Sequence, residues 1–265
     1  DSLQTLTYSV FANTNPDLAT PSIDSGTGAL TVSYTANDNG QAIITIRADD
    51  DNGSTLDESF MVTVTADNDP VTLTNPIGDY TVLEDATATT VADLDDIFDD
   101  IDILNGDPSA LQTLTYSVIA NTNSGLATPS IDPGTGELTV TYTPDDNGEA
   151  EITVRAYDGI GPSLDEIFTV TVTAVNDVIT LLDAIDDYTV LENAGVSTVA
   201  DLDDIFDDID ILNGDPSALQ TLSYSVVSNN NTDLATPSID GNGVLTLTYT
   251  SNDNGQATIT VRADD

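Results

Sequence analysis

The stretch Asp93–Leu114 reads DLDDIFDDIDILNGDPSALQTL, and it returns unchanged at Asp201–Leu222. That return sets the organisation of the chain. Tyr8, Tyr116 and Tyr224 stand 108 residues apart, as do Asn68 and Asn176, Arg47 and Arg155, and Glu84 and Glu192. The third copy is one residue shorter in a turn, IDGNGV against IDPGTGE, which puts its Arg at 262. With boundaries drawn after Asn-Asp, the copies are 1–69 (first part missing), 70–177 (complete) and 178–265 (last strand missing). Self-similarity at a fixed period marks a tandem array. A chain that starts and ends inside a copy reads as a window on an array continuing in both directions.

Within a copy the apolar period is two, the pattern of half-buried strands. Ile152, Val154 and Ala156 alternate with Glu151, Thr153 and Arg155. Phe168, Val170 and Val172 alternate with Thr in the same way. Further strands are expected at Tyr80–Leu83, Leu114–Val118 and Leu138–Tyr142. Turn residues separate them at Asp132-Pro-Gly-Thr-Gly, Asp146-Asn-Gly and Asp158-Gly-Ile-Gly-Pro. About seven strands per copy give an all-β chain of tandem immunoglobulin-like β-sandwiches in an extended rod. One stretch departs from the period. Val91, Leu94, Ile97, Phe98 and Ile101 follow a helical spacing, which predicts one or two helical turns with Asp93 as N-cap and the apolar side plugging one end of the sandwich.

Composition removes several functions. The 265 residues include no Cys, His, Lys or Trp, and three Arg stand against 47 acidic residues, for a net charge of −44. Disulfides, thiolate metal sites, most nucleophile–base pairs and lysine cross-links are therefore excluded. Nucleic acid needs cations that the chain lacks. An anionic membrane surface would repel it, and no stretch is long and apolar enough to span a membrane. The charges punctuate β-branched segments instead of forming blocks, which argues against a disordered acidic chain.

So many carboxylates point to a bound cation. Calcium takes about six to eight oxygens from carboxylates and carbonyls on flexible loops. Three acidic groups recur in each copy. One is Asp99, Asp100 and Asp102 with Asn105 and Asp107. One is Asp50 or Asp158 at a strand end. One is the Asn68-Asp69 or Asn176-Asp177 boundary, joined by Asp38 or Asp146 and by Glu84. Alternate loops of a sandwich lie at opposite ends, so the lower loops of one copy should meet the upper loops of the next.

The order Leu83-Glu84-Asp85, Phe98-Asp-Asp100-Ile-Asp102, Leu114-Thr-Tyr-Ser-Val118, Ile131-Asp-Pro-Gly-Thr-Gly136, Arg155-Ala-Tyr-Asp158 and Phe168–Asp177 resembles cadherin repeats, and more closely the bacterial cadherin-like (dystroglycan-type) repeats of large surface adhesins. The resemblance covers all three copies. It implies junction calcium sites. Glu84 and Glu192 match the first-strand Glu. Asp100 and Asp102, and Asp208 and Asp210, match the Asp-x-Asp of the upper loop. Asp50, Asp158 and Asp265 match the Asp after Ala-x, and Asp38, Asp146 and Asp253 fall where the family has Asp-Arg-Glu. Asn68-Asp69 and Asn176-Asp177 match the linker core. The family's outer linker ligands are replaced by Ala66 or Ala174 and by Pro70 or Val178, so one or two Ca²⁺ per junction are expected where three would otherwise sit.

Other readings are weaker. Solvated acidic loops would leave the recurrence of the three groups unused. DIDILNGD at Asp100–Asp107 lacks the bidentate Glu of an EF-hand loop. Asp93, Asp95 and Asp96 read as cap and surface. The single Arg of each copy reads as a cross-strand surface ion pair. A glycosidase pair would hardly be repeated in every copy. Asn52-Gly-Ser54 and Asn230-Asn-Thr232 fit a glycosylation sequon. The expected function is a calcium-stabilised segment of an extracellular adhesin stalk or surface filament, with neighbouring repeats as its partners and no enzymatic role. The alternative is a carbohydrate-binding or homophilic module, with surface polysaccharide or identical chains as partners.

Overall fold

The computed structural model describes residues 5–104, 113–212 and 221–265. It is nearly all β, and the residues that alternate in the sequence make its sheets. In the middle copy, four strands form one sheet in the order Thr115–Asn121, Gly148–Tyr157, Leu164–Thr173 and Tyr80–Leu83. Three more form a second sheet, Ala127–Ile131, Glu137–Tyr142 and Thr89–Asp93. Leu138 and Val140 of one sheet face Ile152, Val154, Phe168 and Val170 of the other, and all six are at most 1% exposed. These aliphatic and aromatic side chains make one dry core between the two layers, as in an immunoglobulin-like sandwich.

The strand Tyr80–Leu83 is the one parallel neighbour in its sheet, with Tyr80 opposite Val170 and Leu83 opposite Thr173. It therefore runs toward the same end as the last strand of the copy and delivers Glu84 beside the linker. The sheet also carries a bulge at Ile119, where the register shifts between Val118 and Ala120; the same shift occurs at Phe11 and Val227 in the other copies.

The acidic repeat stretch makes one turn at Leu94–Phe98 where its spacing predicts one or two. Val91 lies in the strand Thr89–Asp93. One turn follows, closed by the N–H groups of Ile97 and Phe98 donating to Leu94 O at 3.2 and 3.0 Å. Asp93 Oδ1 accepts the Asp95 N–H at 3.1 Å and starts that turn. The chain then leaves the helix because Phe98–Asp99 pairs with Thr72–Leu73. A second short helix, Ile101–Leu104, starts at Asp100, whose Oδ1 accepts the Asp102 N–H at 2.9 Å. In the third copy the first turn is a 3₁₀ helix, Leu202–Asp204, capped by Asp201. The apolar side does plug the sandwich: Leu94, Ile97 and Phe98 are all buried in the core. Tyr116 OH donates to Asp95 Oδ1 at 2.7 Å and pins the plug, and Tyr224 does the same to Asp203 at 2.6 Å.

No strand ladder among the described residues joins one copy to another. The middle copy has its own large core, with smaller ones around Leu18 and Leu202. A compact monomer of 27.7 kDa exposes about 11,000 Å². This chain exposes 16208 Å², as expected for cores arranged in series. Tyr8 and Leu56 in the first copy are 47% and 76% exposed, whereas their counterparts Tyr116 and Leu164 are half-buried. Among the described residues no helix is long and apolar enough to cross a membrane.

Candidate metal centre

The parallel edge strand brings Glu84 alongside the linker. Its N–H donates to Thr173 O at 2.9 Å, and its side chain accepts the Val175 N–H. From the other side, the short helix Ile209–Leu212 presents Asp210, whose Oδ2 accepts the Asp177 N–H at 2.8 Å. Glu84, Asp177 and Asp210 each aim a carboxylate oxygen at one point, all within 4.8 Å of one another. A second group, Asp85, Asp145 and Asp177, meets the same criterion and shares Asp177 with the first.

Asp208 and Asp265 stand beside these groups. Asp208 is 1% exposed; its Oδ1 accepts the Asp210 N–H at 3.1 Å, while its Oδ2 is buried and accepts no hydrogen bond from the described residues. Asp177 Oδ2 is also buried, with no hydrogen-bond partner among the described residues. Asn176 Nδ2 donates to Asp265 Oδ2 at 3.0 Å and to Asp177 O at 2.9 Å, tying the linker to the third copy.

The preceding junction repeats this frame. Asp102 Oδ2 accepts the Asp69 N–H at 2.8 Å, and Asn68 Nδ2 donates to Asp69 O at 2.9 Å. Asp100 and Asp158 are 1% and 3% exposed, and the Oδ2 of each is buried, with no hydrogen-bond partner among the described residues.

The electrostatics of both junctions work against the charged state. Burial raises the Glu84 carboxyl above its ordinary value, and the charges of Asp210, Asp177 and Asp85 raise it further. Burial also raises Asp177, with Asp145, Asp210 and Asp85 adding to it. Asp208 is raised by burial and by Asp210 and Asp265, and Asp100 by burial and by Asp102 and Asp158. Among the described residues no ion pair relieves them. Arg47 pairs with Asp57 at 2.7 Å and Arg155 with Asp165 at 2.6 Å, across the register on an outer sheet face. Buried carboxylates with unused oxygens and no cationic neighbour are costly unless something else compensates them. The donor set is all oxygen, which suits a hard divalent cation.

Other sequence candidates lie elsewhere. Asp146 is adjacent to Asp145 but belongs to neither group. Asp38 and Asp253 are exposed and accept the N–H of the next residue, each at 2.9 Å. Glu192 is exposed. Asp50 accepts from Asn52 and Ser54 at 3.0 and 2.9 Å, and those hydrogen bonds hold its carboxyl below the ordinary value. Asn105 and Asp107 lie outside the described residues.

Asp85 and Asp145 were not singled out as ligands in the sequence. Both have left-handed backbones, with φ of 62° and 56°, and Asp85 Oδ1 accepts the Asp145 N–H at 3.1 Å. Asn193 and Asn252 occupy the same conformations in the third copy, with the same hydrogen bond at 2.9 Å. The exchange of Asp for Asn at matched turn positions was the available signal.

No protein-family model and no curated protein matches the chain. Among solved structures, human CDH23 EC21-23 superposes with a TM-score of 0.52 at 18% identity, covering 94% of this chain and 80% of that one. The fold is cadherin-like. Mouse Cadherin-23 EC22-24 aligns at 18% identity over 97% of this chain and 80% of that one, with a TM-score of 0.47. At these identities the likeness concerns the cadherin-like fold alone, and the metal centre stands on the carboxylates described above.

Proposed function

We propose that this chain is a calcium-stabilised structural segment of an extracellular adhesin stalk or surface filament of bacterial type, built from cadherin-like repeats with the boundaries 1–69, 70–177 and 178–265. The observation that carries the reading is the convergence of Glu84 and Asp177 from one copy with Asp210 from the next, with no cationic side chain among them. Asp208, Asp265 and Asn176 extend that ligand set. Asp69, Asp100, Asp102, Asp158 and Asn68 form its counterpart one copy earlier, and Asp38 and Asp146 remain outer candidates.

Two Ca²⁺ at the second junction would bring four positive charges to the five carboxylates of the two groups, with Asp177 shared. Calcium supplies the charge that the buried oxygens lack. The chain's own residues orient the donors: Asn176 holds the linker, the Asp177 N–H fixes Asp210, and the Val175 N–H fixes Glu84. Without the ion, like charges push neighbouring copies apart; with it, the free energy of binding becomes free energy of ordering. A rod stiffened in this way suits adhesion or a biofilm matrix, with neighbouring repeats as its principal partners. We assign it no catalytic role.

The test is small-angle X-ray scattering of the whole chain in chelator and in millimolar calcium. Calcium should narrow the distribution of shapes and lengthen the maximum dimension. Identical profiles, together with no heat of binding by calorimetry, would falsify the proposal.

A further inference from the structure

We propose that Asn52-Gly53 is a site of spontaneous deamidation that converts Asn52 into aspartate and isoaspartate. The Gly53 amide nitrogen attacks Asn52 Cγ and forms a new C–N bond. The side-chain nitrogen leaves as ammonia, taking up the proton that Gly53 loses. Water then opens the resulting succinimide at either carbonyl, which yields the two products without any redox change.

The reaction needs an attacking amide that is free of hydrogen bonding and unhindered, and the five Asn-Gly pairs among the described residues differ on both counts. Gly243 N–H donates to Asp240 O at 3.2 Å. Gly40 and Gly148 are half-buried at the start of paired strands, opposite Val64 and Val172. Gly255 is exposed, and a Cβ there would make ordinary van der Waals contact with Leu234 at 3.8 Å and Asn231 at 3.9 Å. Gly53 is exposed, its φ is +95°, and apart from Gly53 itself and its two chain neighbours no described heavy atom lies within 4 Å of where a Cβ would stand. Asp50 Oδ1 clasps the turn by accepting from Asn52 N and Ser54 N and passes over the amide between them. The Gly53 N–H is left outside the clasp.

The middle copy lacks this site, since its matching turn is Asp158-Gly159-Ile160-Gly161. Its product extends Asp49, Asp50 and Asp51 to four consecutive carboxylates. Isoaspartate also lengthens the backbone between the two amides that Asp50 holds, which loosens the clasp.

The experiment is peptide mass spectrometry of the whole chain aged at mildly alkaline pH, alongside the Asn52→Gln variant. Asn52 should convert about tenfold faster than Asn39 and Asn147, the factor imposed by a local opening cost of about 1.4 kcal/mol at the sheet-bound amides. Both aspartate and isoaspartate should appear, and the corresponding peptide of Asn52→Gln should stay unchanged over the same period. Conversion at Asn52 no faster than at Asn39 or Asn147, or a product without isoaspartate, overturns the proposal.

Discussion

Asp210 takes the backbone N–H of Asp177 through its Oδ2 at 2.8 Å, and Asp102 takes that of Asp69 at the same distance. One carboxylate thus ties the linker to the copy that follows it. In the second junction it also aims its charge at Glu84 and at Asp177 itself. The contact that fixes the joint is therefore also part of its unfavourable charge.

Asp210→Asn keeps a group that can accept the Asp177 N–H while removing the charge. A hydrogen bond or contact to a charged group contributes about 1.5–3 kcal/mol, so calcium affinity at this junction should fall roughly tenfold to a hundredfold. The first junction should be unaffected, because Asp69 and Asp102 are a copy away. Calorimetry on the variant and on Asp102→Asn, compared side by side, checks whether each loses a different class of site.

Asp85→Asn combined with Asp145→Asn gives the middle copy the pair already present as Asn193 and Asn252. The turn should survive, because the third copy makes the same backbone contact with Asn. One fewer calcium should bind per chain, and in chelator the variant should be at least as stable as the parent. Native mass spectrometry reads the ion count directly; an unchanged count would remove the second group from the ligand set.

The fold was legible because a period-two pattern repeated across copies leaves little freedom in which face is buried. The candidate clamp Asp100, Asp102, Asp208 and Asp210 was read from the repeat stretch, which carries it in fixed order, and of these Asp210 joins a carboxylate group. Two features were not. The route by which Glu84, already grouped with the Asn176-Asp177 boundary in the sequence, reaches the linker is a parallel pairing between Tyr80 and Val170, residues far apart in sequence, and no local pattern encodes that partner. The choice of Asp145 over its neighbour Asp146 depends on a left-handed residue in the turn, where a shift of one position turns the side chain elsewhere. The helical spacing at Val91–Ile101 was real only at its centre, because the pairing of Phe98–Asp99 with Thr72–Leu73 overrode it.

Tyr116→Phe separates the plug from the metal chemistry. The phenol donates to Asp95, and its own ionisation is pushed upward, first by burial and then by that carboxylate, so it remains a donor at any physiological pH. Removing the hydroxyl should cost about 1–3 kcal/mol of unfolding free energy. The loss should be the same with calcium and with chelator, since Asp95 is in neither carboxylate group. Chemical denaturation under both conditions checks this; a loss seen only with calcium would mean that the plug and the joint act together.

Glu84→Gln tests the stored repulsion through pH. The Glu84 carboxyl is raised in the folded chain, first by burial and then by Asp210, Asp177 and Asp85. The folded state therefore holds its proton more tightly than the unfolded state does. The resulting stabilisation is complete below the ordinary value of 4.5 and is lost as pH rises through the elevated folded value. In chelator, the parent should lose stability across that window, while the Gln variant should lose less and melt higher at neutral pH. For a domain of about 100 residues, each kcal/mol recovered corresponds to about 4–8 °C in Tm. Asp57 and Asp165 work in the opposite direction, since hydrogen bonds from Arg47 and Arg155 lower them and their contribution disappears on acidification. The comparison between parent and variant cancels that background. With calcium present the order should reverse, because the variant lacks a ligand. Calorimetric melts at acidic and neutral pH, with and without chelator, decide it, and a Gln variant that melts below the parent in chelator at neutral pH would show that Glu84 stabilises the joint without any ion.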